Sequence, residues 1–380
     1  MRSGRFVKQP SGYKAFIPEA LPPTNPALEI TPDIQIRLSR ADRALGRLDG
    51  SIQTLPDPDL FVFMYIRKEA VLSSQIEGTQ SSLSDVLEAE ADLFGYAPLR
   101  KRQDVFEVIN YINALNHGLN RLHEIPVSVR LTKEIHAKLL NGVRGSELEI
   151  GEFRRTQNWI GPQGCTLNEA LFVPPPPADM LKAISDLEKF IHSNSDLPLL
   201  LKIGLIHAQF ETIHPFLDGN GRVGRLLIIF LLCNEKVLLK PVLYLSHYFK
   251  QHRAQYYDLL QNIRTGGDWE EWLIFFLDGI FIVSEEATET ARRIVQLREA
   301  HRKIIQYVFG RTAANGLRIL EHLYSQPIIA VADIVELTAV SYQAANQLME
   351  RFVKAQILTE VTGGARNRKY RYNEYIELFN

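Results

Sequence analysis

Between residues 198 and 233 two apolar segments of helical length are joined by a link that neither can cross as a helix. That pair most constrains what the chain can fold into. From Pro198 to Ile213 apolar side chains recur at roughly helical spacing. Pro215 then removes a backbone donor and crowds the preceding turn, so the first helix ends at His214. Arg222 to Cys233 is apolar nearly all round, the pattern of a helix covered on every side. A helix of that kind needs several others packed against it.

The link and the turn after it read His214-Pro215-Phe216-Leu217-Asp218-Gly219-Asn220-Gly221-Arg222-Val223-Gly224-Arg225. The second helix should begin at Asn220 or Gly221, where unpaired N–H groups and the helix dipole attract anions. Gly219, Gly221 and Gly224 let the backbone approach a phosphate, and Arg222 and Arg225, three apart, leave one side of the first turn. His214 is a candidate general base, since imidazole titrates near neutral pH. Asp218 carries the hard oxygen donors that Mg²⁺ prefers. Together these residues can hold a polyphosphate. His207, Glu211 and His214, at i, i+4 and i+7, also suit a zinc site, but Pro215 and the phosphate loop directly after them favour a packed or solvent-edge His207.

Composition narrows the partners. With 43 Lys and Arg against 44 Asp and Glu, nothing draws the whole chain to nucleic acid or membrane. Cys165 and Cys233 are too few for a disulfide framework, and Cys233, on the apolar helix, is expected to be a buried free thiol. The N-terminus lacks the apolar stretch of a signal peptide, and the longest apolar run, Leu226 to Cys233, is far short of a membrane span. A cytoplasmic chain with no membrane partner is expected.

The pattern predicts a mainly α protein. Residues 1–32, with prolines at 10, 18, 22, 23, 26 and 32, read as an extended surface arm. Residues 33–129 form an N-terminal helical region, with helices expected over 31–48, 59–75, 83–94 and 103–122. Residues 130–280 form a helical core interrupted by two β-prone stretches, 151–161 and 171–173, around Pro162-Gln163-Gly164, which read as a hairpin. A linker helix over 281–311 leads to residues 312–380. There three helices (312–324, 330–337, 341–355) and two strands around Gly363-Gly364 read as a winged helix-turn-helix, with Ser341 capping the third helix. Six basic residues (Arg351, Lys354, Arg366, Arg368, Lys369, Arg371) against Glu360 make duplex DNA a candidate partner, although such modules also dock proteins or dimerise.

The run His214 to Arg225 resembles the motif of the Fic family, His-Pro-Phe-x-[Asp/Glu]-Gly-Asn-Gly-Arg-x-x-Arg, at every defined position. The resemblance covers roughly 130–280 and implies transfer of the AMP part of ATP to Tyr, Thr or Ser hydroxyls of proteins, the chain itself included, with pyrophosphate leaving. It implies His214 as base and Asp218 as the Mg²⁺ ligand. The Gly219 to Gly221 amides with the Asn220 side chain would cradle the α-phosphate, and Arg222 and Arg225, on the turn with Val223 and Gly224, would meet the β- and γ-phosphates. It points, less firmly, to Tyr248 and Gln251 on the adenine side, and to the hairpin as a flap that takes an extended substrate by β-augmentation. Relatives of the same fold transfer other phosphate-linked groups or reverse the reaction, and a homodimer is a further expectation. The Asp218-Gly219-Asn220-Gly221 run favours adenylyl transfer.

Upstream, Ser73-Ser74-Gln75-Ile76-Glu77-Gly78 resembles the family's inhibitory motif, [Ser/Thr]-x-x-x-Glu-[Gly/Asn]. It ends an amphipathic segment, so Glu77 should stand at a helix end stopped by Gly78. The implied brake is competition for one arginine, with the Glu77 carboxylate on Arg225 where the γ-phosphate must bind. The same resemblance leaves open that Glu77 places a water for AMP removal. From a different class, the C-terminal module as a DNA-binding regulator with a nucleotide-sensing core is the alternative.

Overall fold

All of Val223 to Leu232 is buried, as an all-apolar helix requires. The computed structural model describes every residue except 54, 56, 92–98, 144–148, 163, 365–366 and 380. The expected helix end at Phe94, the turn residue Gln163 and the basic Arg366 therefore lie outside the described residues. In chain order the elements are β1 (Gly4–Lys8), β2 (Lys14–Pro18), α1 (Pro32–Gln53), α2 (Pro58–Ile76), α3 (Leu83–Glu90), α4 (Leu99–Arg121), α5 (Val129–Leu139) and α6 (Pro177–His192). Then come α7 (Leu199–Ile213), α8 (Asn220–Asn234), α9 (Ser246–Gln251), α10 (Arg253–Gly266), α11 (Trp269–Val308) and α12 (Ala313–Leu323). The chain closes with β3 (Ile328–Ala330), α13 (Val331–Thr338), α14 (Tyr342–Lys354), β4 (Thr359–Glu360), β5 (Lys369–Arg371) and α15 (Asn373–Glu377).

α8 is the axis of the fold, with α7, α5, α4 and α2 packed around it. On α4, Gly118 faces Phe230 so closely that a Cβ would overlap the ring. Gly118→Ala should therefore lower unfolding free energy by ~1–3 kcal/mol through overpacking. A urea midpoint equal to the wild type's would instead mean that α4 shifts away from α8 at no cost.

α11 runs unbroken for 40 residues beside α1, across the boundary expected near residue 280. Among the described residues no helix is long and apolar enough to cross a membrane. Cys233, expected to be buried, sits half-buried in the last turn of α8 as a free thiol, pushed up to about 12 by burial.

The arm is more ordered than its prolines suggest. β1 and β2 pair antiparallel from Gly4↔Pro18 to Lys8↔Lys14, and the Phe16 amide donates to the Val173 carbonyl at 2.9 Å. The Arg2 Nε donates to the Gly267 carbonyl at 2.8 Å, and the Arg2 guanidinium pairs with Glu270.

The expected hairpin at 151–173 shrinks to one antiparallel bridge, Ile160↔Phe172. Four prolines, 174–177, cannot donate to a ladder, and side chains take carbonyls the ladder would need: Gln157 Nε2 donates to Pro174 O at 2.9 Å and to Asn158 O at 3.0 Å.

At the C-terminal end three helices appear as expected, and Ser341 Oγ accepts the Ala344 amide at 3.3 Å as the N-cap of α14. The sheet order is β3-β5-β4, antiparallel throughout; β3 and α15 were not foreseen. Several basic residues there are turned inward. Arg351 donates to Phe309 O at 2.8 Å, Arg368 to Asn346 Oδ1 at 3.0 Å and Arg371 to Ser84 Oγ at 2.7 Å, while Lys369 bonds the Ala91 carbonyl. With Tyr375 donating to Leu60 O at 3.3 Å, the Arg371 and Lys369 contacts seat the module on α2 and α3.

Candidate active site

His214 is the C-cap of α7, with φ 49° and ψ 61° in the left-handed region that non-glycine residues seldom occupy. Its amide still donates to Phe210 O at 2.9 Å. Its Nδ1 is buried without a partner, and burial, helped by the Arg264 and Arg154 charges, pushes the imidazole down to about 3. The ring is thus neutral at physiological pH, with a lone pair on one ring nitrogen.

The loop is closed by Asn220. Its Oδ1 accepts the Phe216 amide and its Nδ2 donates to the Phe216 carbonyl, both at 2.8 Å. The carboxamide expected in the cradle thus spends its oxygen and one of its two Nδ2 hydrogens on closing the loop. Gly219 takes φ 77° as N-cap of α8, a conformation that favours glycine. The Gly219 amide donates to Asp218 Oδ1 at 2.6 Å, and Arg222 approaches the same oxygen at 3.6 Å. His136 supports the loop from α5. It stacks on Phe216 at 3.8 Å, accepts the Gly151 amide at Nδ1 (2.9 Å), and so donates from Nε2 to Asp218 O (3.1 Å).

Both arginines are buried against carboxylates from the N-terminal helices. Arg222 Nη1 donates to Glu107 Oε2 of α4 at 3.1 Å, a partner sequence reasoning missed. Arg225 donates to Ser73 Oγ at 2.8 Å, to Ser73 O at 3.0 Å and to Glu77 Oε1 at 2.6 Å. α2 ends at Ile76 with Glu77 as C-cap and Gly78 at φ 102°, as the sequence predicts.

Glu77 stands at the negative end of α2, where an acid is disfavoured. It is held there because its carboxylate lies against Gly221, over the positive end of α8. A Cβ on Gly221 would collide with Glu77 Oε1. Although burial would raise it, the Arg225 charge holds the Glu77 carboxyl below the usual range. The Glu77 carboxylate thus lies between Gly221 and Arg225 at the first turn of α8.

Two more carboxyl groups flank Arg225. Glu69, bonded by Tyr111 and Ser246, and Glu211, whose Oε1 is buried and unpartnered, are each pushed up to about 7 by burial. Gly224 is needed beside the latter, since a Cβ there would lie 2.6 Å from Glu211 Oε1.

Of the two places expected for His207, packed or at the solvent edge, the structure has the first. Its Nδ1 can only donate to Gly224 O (3.0 Å), so its Nε2 accepts from the Tyr256 hydroxyl (2.9 Å). Val223 is core. Tyr248, expected on the adenine side with Gln251, packs on Phe275, His252 and Gly279, and exposed Gln251 bonds His247.

Among the described residues no three His, Cys, Asp or Glu side chains gather as a metal site. Asp218, about a third exposed at the loop rim, fits a cation that takes its other ligands from phosphate and water oxygens.

The chain matches the family model described as Fic/DOC family N-terminal over residues 36–120 and the one described as Fic/DOC family over 126–232, just over half its length together. The protein adenylyltransferase Fic of Drosophila grimshawi is 31% identical over 172 residues, 45% of this chain and 31% of that protein. Its counterpart from Culex quinquefasciatus is 32% identical over 172 residues, 45% of this chain and 30% of that one. This chain therefore spans less than a third of these relatives. In fold it resembles a Fic family protein from Desulfovibrio desulfuricans G20, with TM-score 0.59 at 21% identity, covering 91% of this chain and 97% of that one. A Fic domain containing signaling protein from Bacteroides thetaiotaomicron VPI-5482 gives TM-score 0.51 at 17% identity, covering 68% and 97%.

Proposed function

This chain belongs to the Fic/DOC family, and from that premise we propose that it transfers AMP from ATP to a protein hydroxyl and restrains itself through Glu77. The observation that carries the reading is geometric: His214, with its Nδ1 unpartnered, caps α7 on the loop that leads into α8, and the Glu77 carboxylate lies against Gly221 at the start of that helix. In the reaction the hydroxyl oxygen bonds to the α-phosphorus while its proton passes to the imidazole of His214. The bond from the α-phosphorus to the bridging oxygen breaks, and pyrophosphate leaves with that electron pair. His214 then returns its proton to the leaving group or to water.

The first amides of α8 face the charge that builds on the phosphates, and Arg225, once free of Glu77, meets the terminal phosphate. Arg222, balanced by Glu107, adds positive potential at the same helix end. Asp218 would hold a magnesium ion, which when bound would supply positive charge against the phosphates. The same carboxylate contacts support restraint: Glu77 holds the arginine that the nucleotide requires.

The test is mass spectrometry of the purified protein after incubation with ATP and Mg²⁺, alone and with added lysate proteins. AMP adducts on hydroxyl side chains are expected. Their absence from both the wild type and the Glu77→Gly variant would overturn the reading.

A further inference from the structure

We propose that Arg154, aided by Asn158, is a positioning residue that clamps His214 in its working posture and ties that posture to the flap. The inference rests on the transfer reading above.

Arg154 is only 2% exposed, and among the described residues no carboxylate pairs with it. Burial lowers its guanidinium to about 10, so it remains charged at neutral pH. A buried, unpaired cation is costly in any protein. Here it faces four backbone carbonyls. Nε donates to His214 O at 2.9 Å, and Nη2 to Pro175 O at 2.5 Å and Ile213 O at 3.5 Å, with Nη1 reaching Thr156 O at 3.2 Å. The Arg154 amide adds a bond to Pro215 O at 3.0 Å.

Asn158 works beside it. Its Nδ2 donates to His214 O at 3.3 Å and to Phe216 O at 2.9 Å. The left-handed backbone of His214 is thereby held from both ends, its amide by Phe210 and its carbonyl by two flap side chains. A strained residue of this kind persists only where its surroundings over-determine it.

The same guanidinium spans the flap. Thr156 lies on the outgoing arm and Pro175 on the returning one, beyond the Ile160↔Phe172 bridge. A displacement of either arm is thus passed to the carbonyl of His214. Neutral Gln or Met could fill the space of Arg154 but could not serve all four acceptors. Lysine keeps the charge and reaches fewer of them.

The test uses the Glu77→Gly protein as parent and compares Arg154→Met, Arg154→Lys and Asn158→Ala. A 1 Å misplacement of a catalytic group costs on the order of 100-fold. Accordingly Arg154→Met should lower kcat ~100-fold and leave KM for ATP within about twofold, with Asn158→Ala intermediate and Arg154→Lys recovering part of the loss. Unchanged kcat in Asn158→Ala and Arg154→Lys, or a loss carried by KM, overturns the clamp, even if Arg154→Met fails to fold.

A second readout needs no activity. In protein labelled with ¹⁵N-histidine, the ring signals of His214, assigned by their loss in His214→Ala, should shift or broaden in Asn158→Ala and Arg154→Lys. If the parent forms no AMP adduct, the transfer reading falls while these signals still decide the clamp. Unmoved signals overturn it.

Discussion

Glycine in place of Glu77 is expected to raise self-adenylylation by about 10- to 100-fold over the wild type. Arg225 is 2% exposed, and in the resting protein its charge is met by Glu77 Oε1 at 2.6 Å and by Ser73. Removing one partner of a fully buried pair costs ~3–5 kcal/mol. The Glu77 side chain is 30% exposed, so the loss here is smaller, and at about 1.4 kcal/mol per tenfold it corresponds to the range given.

The sign follows from what is left behind. A buried guanidinium without its carboxylate gains more from an incoming phosphate than one already paired. The helix is little disturbed, because Glu77 is a C-cap already followed by Gly78 at φ 102°. Incorporation of label from ATP carrying it on the α-phosphate measures the effect. Equal incorporation in wild type and variant would remove the brake from the proposal.

His214→Ala should act in the opposite direction, lowering transfer in the Glu77→Gly protein by ~10²–10⁴-fold, the usual contribution of a positioned general base. Nucleotide binding should survive, since Arg225, Arg222 and the amides of α8 are untouched. The comparison needs kcat from label incorporation and ATP affinity from calorimetry on the same preparation. A variant that keeps more than about a tenth of the parent's kcat would mean that another group, or water, takes the proton. Alanine carries its own cost at the left-handed φ of residue 214, so thermal unfolding should accompany the kinetics.

Much of the helical frame was legible because it rests on periodicity. Ser341 capping α14, Gly78 ending α2 and the buried Val223 to Leu232 stretch of α8 all follow from local rules, and the structure places each where those rules put it. The pairing of Glu77 with Arg225 was legible for another reason: two short motifs with complementary charge resemble those of one family.

What escaped was tertiary. Nothing around Glu107 announces that it will meet Arg222, 115 residues on. Arg154 and Asn158 read as strand residues, and their side chains instead took the carbonyls that a strand ladder would have used. Asn220 was expected to face a ligand because the motif holds it among glycines, yet closing a tight loop calls on the same donor and acceptor. Tyr248 and Gln251 were pointed to by the resemblance, and helical spacing adds only that two side chains share a face, not what that face meets.

The N-terminal strap has a consequence for the order in which the molecule is assembled. Arg2 meets Glu270, 268 residues downstream, and Phe16, wholly buried in the finished protein, hydrogen-bonds through its amide to Val173. A ribosome adding ~5–20 residues per second leaves Arg2 waiting on the order of tens of seconds for its partner. During that interval the hairpin has an apolar face and nothing to lay it on. Residues made well before their partners are therefore among the last to find their place, and until Phe16 reaches Val173 that end of the returning arm lacks the strand that bonds it.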